Sequence, residues 1–208
     1  MDVKDRKVLV VGLARSGTAA CEELLKMGAK VTATDIKKEE ELKEVIEKFE
    51  GKEIKLILGH HPLSLLDDVD FIVASPGVPL DIELFQRARE KNIPVLSELE
   101  LGYMFNKAPI IAVTGTNGKT TTTTLIGEIL KNDGKNISVA GNIGIPFIQE
   151  ADKKGIKDFI VLEVSSFQLE HIISFRPHIA VILNITEDHL NYHKTFDNYI
   201  RAKARIFE

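Results

Sequence analysis

At 208 residues the chain has room for one large domain or two modest ones, and 44% hydrophobic with 28% charged residues suits a protein that buries a core. A net charge of -4 gives no basis for general nucleic-acid affinity, and no apolar run is long enough to cross a bilayer. The lone Cys21 excludes an internal disulfide, and the charged opening MDVKDRKVLVVG is no secretory signal, so the expected compartment is the cytoplasm.

Along the chain, VLVVG, VTATD, KLILG, FIVASPG and PVLSE read as strands. Between them, TAACEELLKMG, KKEEELKEVIEKFE and DIELFQRAREKN read as helices, the second with a solvated charged face. Strands apolar almost throughout, alternating with helices, predict a mostly parallel sheet covered on both sides. After LSELELGYMFNKAP, expected to be a helix carrying the chain onward, a second series follows: IIAVTG, NISVAG, DFIVLEVSS and IAVILNIT. Two α/β domains are expected, 1–97 and 98–208. The final stretch TFDNYIRAKARIFE has an amphipathic pattern with no stop signal, and four strong strands are few for a nucleotide-binding sheet. A longer protein is the expectation.

The stretch VTGTNGKTTTTT places a glycine turn, a lysine and hydroxyls between an apolar strand and a helix. Backbone N–H groups from Gly115 through Thr116, Asn117 and Gly118 to Lys119 are expected to converge on phosphate oxygens at a helix start. Lys119 would reach the terminal phosphates and Thr120 would hold Mg²⁺. The strict phosphate-loop spacing fails, because Val113 stands where its first glycine belongs, so the match is to a shorter form, TGTNGKT. A plain strand-to-helix turn would leave Lys119 and Thr120 without a purpose. Thr121 to Thr124, weak helix formers, are expected mostly to pack the loop onto the sheet.

A second glycine loop, VLVVGLARSG, places Gly12 and Gly17 as in a dinucleotide fingerprint, with Ala14 in the middle position and Asp35 ending the next strand. Ser75, Pro76 and Gly77 end another strand of that sheet. In LEVSSFQLE, Glu163 falls at the end of a buried strand, where a carboxylate needs a partner or a metal. NITEDH delivers Asp188 and His189 to the same edge. His60, His61, His171, His178 and His193 lack metal-ligand spacing and read as structural or exposed. Lys203, taken alone, reads as a solvated lysine.

With GTNGKT, GNIG, LEVSSFQLE and NITEDH in one order, the sequence resembles the Mur ligases over essentially its whole length. LEVSSFQLE together with GLARSG and SPG is similar to their D-glutamate-adding branch. The resemblance implies a Rossmann-like UDP-binding domain followed by part of a P-loop ATPase-type α/β central domain, without the family's third, amino-acid-binding domain. It implies ATP-dependent amide ligation in peptidoglycan precursor synthesis, through an acyl phosphate. The substrates would be UDP-N-acetylmuramoyl-L-alanine, ATP and D-glutamate, in a monomer that binds neither nucleic acid nor membrane.

By the family pattern, Gly115 to Thr121 bind ATP, and Lys119, His189 and Lys203 are catalytic. Thr120 and Glu163 would hold one Mg²⁺, and His189 would help hold a second. Lys203 falls where the family carries a lysine carbamylated by CO₂. Ala14, Arg15 and Ser16 would meet the diphosphate, and Asp35, Ile36 and Ser75, with Pro76 and Gly77, the uridine. Asn142, Ser165 and His189 would contact the sugar-peptide end. Ala14 and Arg15 depart from the usual family loop, so backbone rather than side-chain contacts are expected there. Open alternatives are a related ligase adding another amino acid and a nucleotide-binding module that joins nothing. An NAD-dependent oxidoreductase is disfavoured by Ala14 and by the second phosphate loop.

Overall fold

The structure is a computed structural model that describes residues 2–79, 81–151 and 157–208. They divide into two units, one ending at Glu98 and one beginning at Leu99.

In the first unit, β1 (Lys7–Val11), β2 (Lys30–Asp35), β3 (Ile54–Leu58), β4 (Phe71–Ala74) and β5 (Val95–Ser97) pair in parallel, in the order β3-β2-β1-β4-β5. Strands β1 and β4 are apolar and buried nearly throughout, because side chains on both faces are covered. Helix α1 (Arg15–Lys26) buries Ala20, Cys21 and Leu24. Full burial of a side chain such as Leu24 contributes about 2 kcal/mol. Leu84, Phe85 and Ala88 of α3 (Glu83–Glu90) pack with Leu9, Val11 and Ile72 of the sheet.

The charged stretch KKEEELKEVIEKFE is not one helix. A 3₁₀ turn at Glu39–Glu41 precedes α2 (Lys43–Phe49). The apolar stripe explains the late start: it begins at Leu42 and continues through Ile46 to Phe49, so the three preceding glutamates have no face to bury. Lys43, Glu44, Glu47 and Lys48 are exposed, as a solvated face requires.

Helix α4 (Glu98–Phe105) carries the chain into the second unit, and its Leu99 joins the core formed by Ile110, Phe147, Ile160, Leu162 and Phe175. Glu100 of α4 accepts backbone N–H groups from Ile173, Ser174 and Phe175, at 2.9, 2.9 and 3.0 Å, and so pins that loop. The remaining elements are β6 (Ile110–Thr114), α5 (Lys119–Asn132), β7 (Ile137–Gly141), α6 (Phe147–Ala151), β8 (Phe159–Glu163), α7 (Ser166–Leu169), β9 (Ile179–Ile182), α8 (Leu190–His193) and α9 (Phe196–Ala204). A 3₁₀ turn, Arg205–Phe207, follows α9. The strands are parallel, in the order β7-β8-β6-β9. Because β6 lies between β8 and β9, the loops leaving these three strands emerge side by side. That single topological fact assembles the site.

Candidate functional site

The turn after β6 is clasped by the end of β9. Asn184 accepts the Thr116 N–H on its carbonyl at 3.0 Å and the Asn117 N–H on Oδ1 at 2.9 Å, while its Nδ2 donates to the Asn117 carbonyl at 3.0 Å. Two of the N–H groups expected to face phosphate therefore hold the loop in shape instead. The first-turn N–H groups of α5, from Lys119 onward, keep the orphan character of any helix start. Gly118 caps that helix in a left-handed conformation, φ 81°. Lys119 Nζ donates to the Thr116 carbonyl at 2.8 Å. Thr116 Oγ1 also accepts the Thr186 N–H at 3.0 Å and lies 3.1 Å from the Tyr199 hydroxyl. Of Thr121 to Thr124 only Thr123 is buried; Thr121 and Thr124 are exposed, so the run packs the loop less than the sequence implied. Four consecutive helical residues cannot all face one sheet.

Glu163 ends β8 directly beside β6 and β7, paired in register with Val113 and Gly141. It is 2% exposed. Thr120 Oγ1 donates to its Oε2 at 2.7 Å and Asn142 Nδ2 to its Oε1 at 2.8 Å. Both partners are neutral, and no cation pairs with this carboxylate among the described residues. A buried anion balanced only by dipoles is electrostatically costly, and a hydroxyl plus a carboxylate is the hard-oxygen donor set that suits Mg²⁺. The carbonyl of Glu163 also accepts the Asn142 N–H at 2.8 Å. The approach there is so close that a Cβ on Gly141 would lie 2.3 Å from that oxygen. Among the described residues, no three His, Cys, Asp or Glu side chains cluster as a metal cage.

Lys203 is not the solvated lysine its sequence position suggested. At 2% exposure it lies inside, with Nζ donating to the Gly115 carbonyl at 2.8 Å and standing 4.7 Å above the Tyr199 ring. Burial and then the nearby Lys119 charge lower its pKa to about 8, with Asp188 opposing. Tyr199 precedes Lys203 by one helical turn, which puts the two on one face of α9.

His189 caps α8 with φ 52°, a left-handed conformation uncommon outside glycine. Its N–H donates to Asp188 Oδ1 at 2.8 Å, and its half-exposed ring lies 4.9 Å from Phe167. Ser165 caps α7, accepting the Gln168 N–H. His193 is buried, and its pKa is lowered by that burial and then by His189 and Lys203. Burial likewise raises Glu170, against the Tyr192 hydroxyl and Arg205. Asn184, Tyr199, His193 and Glu170 all belong to this neighbourhood, although the sequence offered no motif for them.

In the first unit, the strand order reverses between β1 and β4, which opens a crevice at their carboxyl ends. Gly12 follows β1 there, Ala14 caps α1, and Arg15 and Ser16 begin it. The turn is tight: a Cβ on Gly17 would lie 1.8 Å from the Gly12 carbonyl oxygen. Asp35 is buried and already engaged, accepting the Leu13 N–H on Oδ2 at 2.6 Å and the Lys37 N–H on Oδ1 at 2.9 Å. It thereby shapes the glycine loop, a role additional to the expected ribose or base contact. Ile36 next to it is 65% exposed. Ser75 is buried at the end of β4, its hydroxyl without a hydrogen-bond partner among the described residues, and Pro76 and Gly77 continue toward solvent.

Residues 6–97 match the family model described as Mur ligase MurD-like, N-terminal domain, and residues 113–208 match the Mur ligase middle domain. A UDP-N-acetylmuramoylalanine–D-glutamate ligase from Thermoanaerobacter sp. strain X514 is 51% identical over 208 residues, covering 100% of this chain and 46% of the relative. The protein of the same name from Geobacter sp. strain M21 is 52% identical over 209 residues, with the same coverage, 100% and 46%. The chain thus spans about half the length of the curated relatives it matches. Among solved structures, the UDP-N-acetylmuramate-alanine ligase of Thermotoga maritima aligns at 26% identity and a TM-score of 0.55, covering 96% of this chain and 46% of that one. A UDP-N-acetylmuramate:L-alanyl-gamma-D-glutamyl-meso-diaminopimelate ligase from Neisseria meningitides shares the fold, at 17% identity and TM-score 0.58, covering 98% and 68%.

Proposed function

Because the chain belongs to the Mur ligase family, we propose that it carries the UDP-substrate and ATP sites of a ligase joining D-glutamate to UDP-N-acetylmuramoyl-L-alanine in peptidoglycan precursor synthesis. The observation that carries this reading is Glu163, a buried carboxylate joined to Thr120 at the start of the helix that follows the glycine loop, and balanced only by neutral donors among the described residues.

ATP lies along Gly115 to Thr121, with the first-turn N–H groups of α5 and the Lys119 ammonium against its phosphates. Thr120 and Glu163 would hold Mg²⁺, and His189 with Lys203 would serve a second; bound there, the metal neutralises phosphate charge. The γ-phosphoryl group passes to the alanyl carboxylate and ADP leaves. The amine of D-glutamate then attacks the acyl carbon and phosphate departs. The chain's residues contribute position and charge rather than covalent chemistry.

Lys203 suits carbamylation by CO₂, since only a neutral amine adds CO₂ and a pKa of about 8 leaves a neutral fraction near pH 7. The carbamate nitrogen retains a hydrogen to donate, while its oxygens turn a cation into a ligand. In the first unit, the N–H groups of Ala14, Arg15 and Ser16 take the diphosphate. Asp35, Ile36 and Ser75, with Pro76 and Gly77, flank the uridine. Asn142, Ser165 and His189 face the sugar-peptide end.

Calorimetric titration of the 208-residue chain with ATP, with and without Mg²⁺, tests the site. Glu163→Gln is expected to abolish the gain in affinity that Mg²⁺ confers while sparing metal-free binding. An unchanged Mg²⁺ gain would overturn the assignment.

A further inference from the structure

His193 closes α8 deep in the second unit, and both of its ring nitrogens meet side chains from α7 and the residue just past its end. Nε2 lies 3.0 Å from Ser166 Oγ and Nδ1 lies 3.2 Å from Glu170 Oε1. A carboxylate only accepts, so these partners place the proton on Nδ1 and make Nε2 the acceptor of the Ser166 hydroxyl. Glu170 is itself fixed: the Tyr192 hydroxyl donates to its Oε2 at 2.8 Å, and Arg205 donates to its carbonyl at 2.6 Å. The Phe167 ring stacks on the imidazole, with centroids 5.4 Å apart and planes 16° from parallel.

The backbone of His193 is held equally firmly. Lys194 has φ 69° and ψ -41°, and the Thr195 N–H donates to the His193 carbonyl at 2.9 Å. This is a γ-turn of the rarer, strained hand. Asn198 Nδ2, from the first turn of α9, donates to the same carbonyl at 2.9 Å. The ring of His193 therefore sets α8 against α7, and its carbonyl sets α9 against α8.

Each of those elements bears a group of the proposed nucleotide and sugar-peptide sites. Ser165 caps α7, His189 caps α8, and α9 sends Tyr199 to Thr116 and Lys203 to the Gly115 carbonyl. We propose that His193, through Ser166, Glu170 and the γ-turn at Lys194, is a positioning residue that fixes Lys203 at the phosphate loop and His189 beside Tyr199. The proposal rests on the nucleotide-site reading above. An apolar residue would fill the same volume, and a glycine would relax the turn. A buried polar ring coupled to a strained turn makes sense where one geometry matters more than stability.

Two measurements on the 208-residue chain decide it, the first without nucleotide. Acylation of lysines by an amine-reactive activated ester, which loses its alcohol as the amide forms, mapped by peptide mass spectrometry, is expected to find Lys203 protected. His193→Phe keeps a ring but removes both hydrogen bonds, and should raise the labelling rate of Lys203 about tenfold by local opening, with the thermal midpoint nearly unchanged. The second measurement is the ratio of ATP affinities with and without Mg²⁺. That ratio should fall about tenfold in His193→Phe, as for other residues that orient metal ligands. It should recover in part in His193→Gln, whose amide oxygen can accept from Ser166. Lys203 still protected in His193→Phe, with the Mg²⁺ ratio unchanged, would overturn the proposal. So would labelling accompanied by collapse of the thermal midpoint, which marks a purely structural role. If the wild-type chain binds no Mg–ATP, the nucleotide reading falls, and the labelling result alone decides the role of His193.

Discussion

Replacing Gly141 by alanine tests how the carboxyl end of β7 supports Glu163. Gly141 has φ 105°, and a Cβ there would meet the Glu163 carbonyl oxygen at 2.3 Å, a contact that only backbone movement can relieve. Gly134 supplies the control, because its φ is 77° and nothing lies within 4 Å of an added Cβ. Gly134→Ala therefore reports the conformational cost alone, about 1 kcal/mol for a left-handed non-glycine residue. Gly141→Ala adds overpacking, typically about 1–3 kcal/mol, to a less accessible φ, for a total of roughly 3–5 kcal/mol. For a unit of this size each kcal/mol moves the midpoint by about 4–8 °C. Differential scanning calorimetry should then find the second unit's transition lowered by roughly 15 °C or more in Gly141→Ala, against about 5 °C in Gly134→Ala. The Asn142 N–H bonds the displaced carbonyl, so the Mg²⁺-dependent gain in ATP affinity should vanish with the first substitution and persist with the second. Equal losses in the two variants would show that the 2.3 Å approach carries no energetic weight.

Lys203 should give stability a pH dependence. Its pKa is lowered from 10.5 to about 8 in the folded chain, so the folded state releases its proton first as pH rises. Between those values the unfolded state holds more protons, and stability must increase with pH. Denaturant unfolding at several pH values should show wild type gaining on Lys203→Met from about pH 8 upward, and a flat difference would refute the burial argument. Asp35→Ala should leave the Leu13 N–H without its charged acceptor and loosen the glycine loop. With hydrogen bonds to charged groups worth about 1.5–3 kcal/mol, UDP affinity measured by calorimetry should fall at least about tenfold while Mg–ATP affinity holds.

The strands were legible because parallel strands buried on both faces are continuous apolar runs, as KVLVV and IIAVT are. The turn between β6 and α5 was legible because an apolar strand followed by glycines, a lysine and threonines marks a strand-to-helix junction. Helix extents were less so, since charge alone does not hold a helix: the glutamates before Leu42 form only a 3₁₀ turn. Lys203 misled when read alone, because burial of a lysine depends on what neighbouring elements bring to it, here Tyr199 and the Gly115 carbonyl. The same is true of Asn184 and His193, ordinary residues locally, whose partners lie far along the chain at Asn117 and Ser166.

The strand order of the second unit also bears on when its parts come into being. Strand β6 ends in the phosphate loop, yet its neighbours are β8 and β9, while β7, the next strand made, pairs with β8 instead. In the first unit β1 finds its first partner in the very next strand and its second in β4. A chain leaving the ribosome can therefore close its first sheet while β6 still waits, because neither flank of β6 exists until Glu163 and then Ile182 have been synthesised. Long-range parallel pairing of this kind is slow, since the intervening chain must be ordered before the contact rewards it. The segment between Thr114 and Lys119 thus acquires its shape late, when Asn184 arrives to clasp it and Tyr199 and Lys203 then close against it.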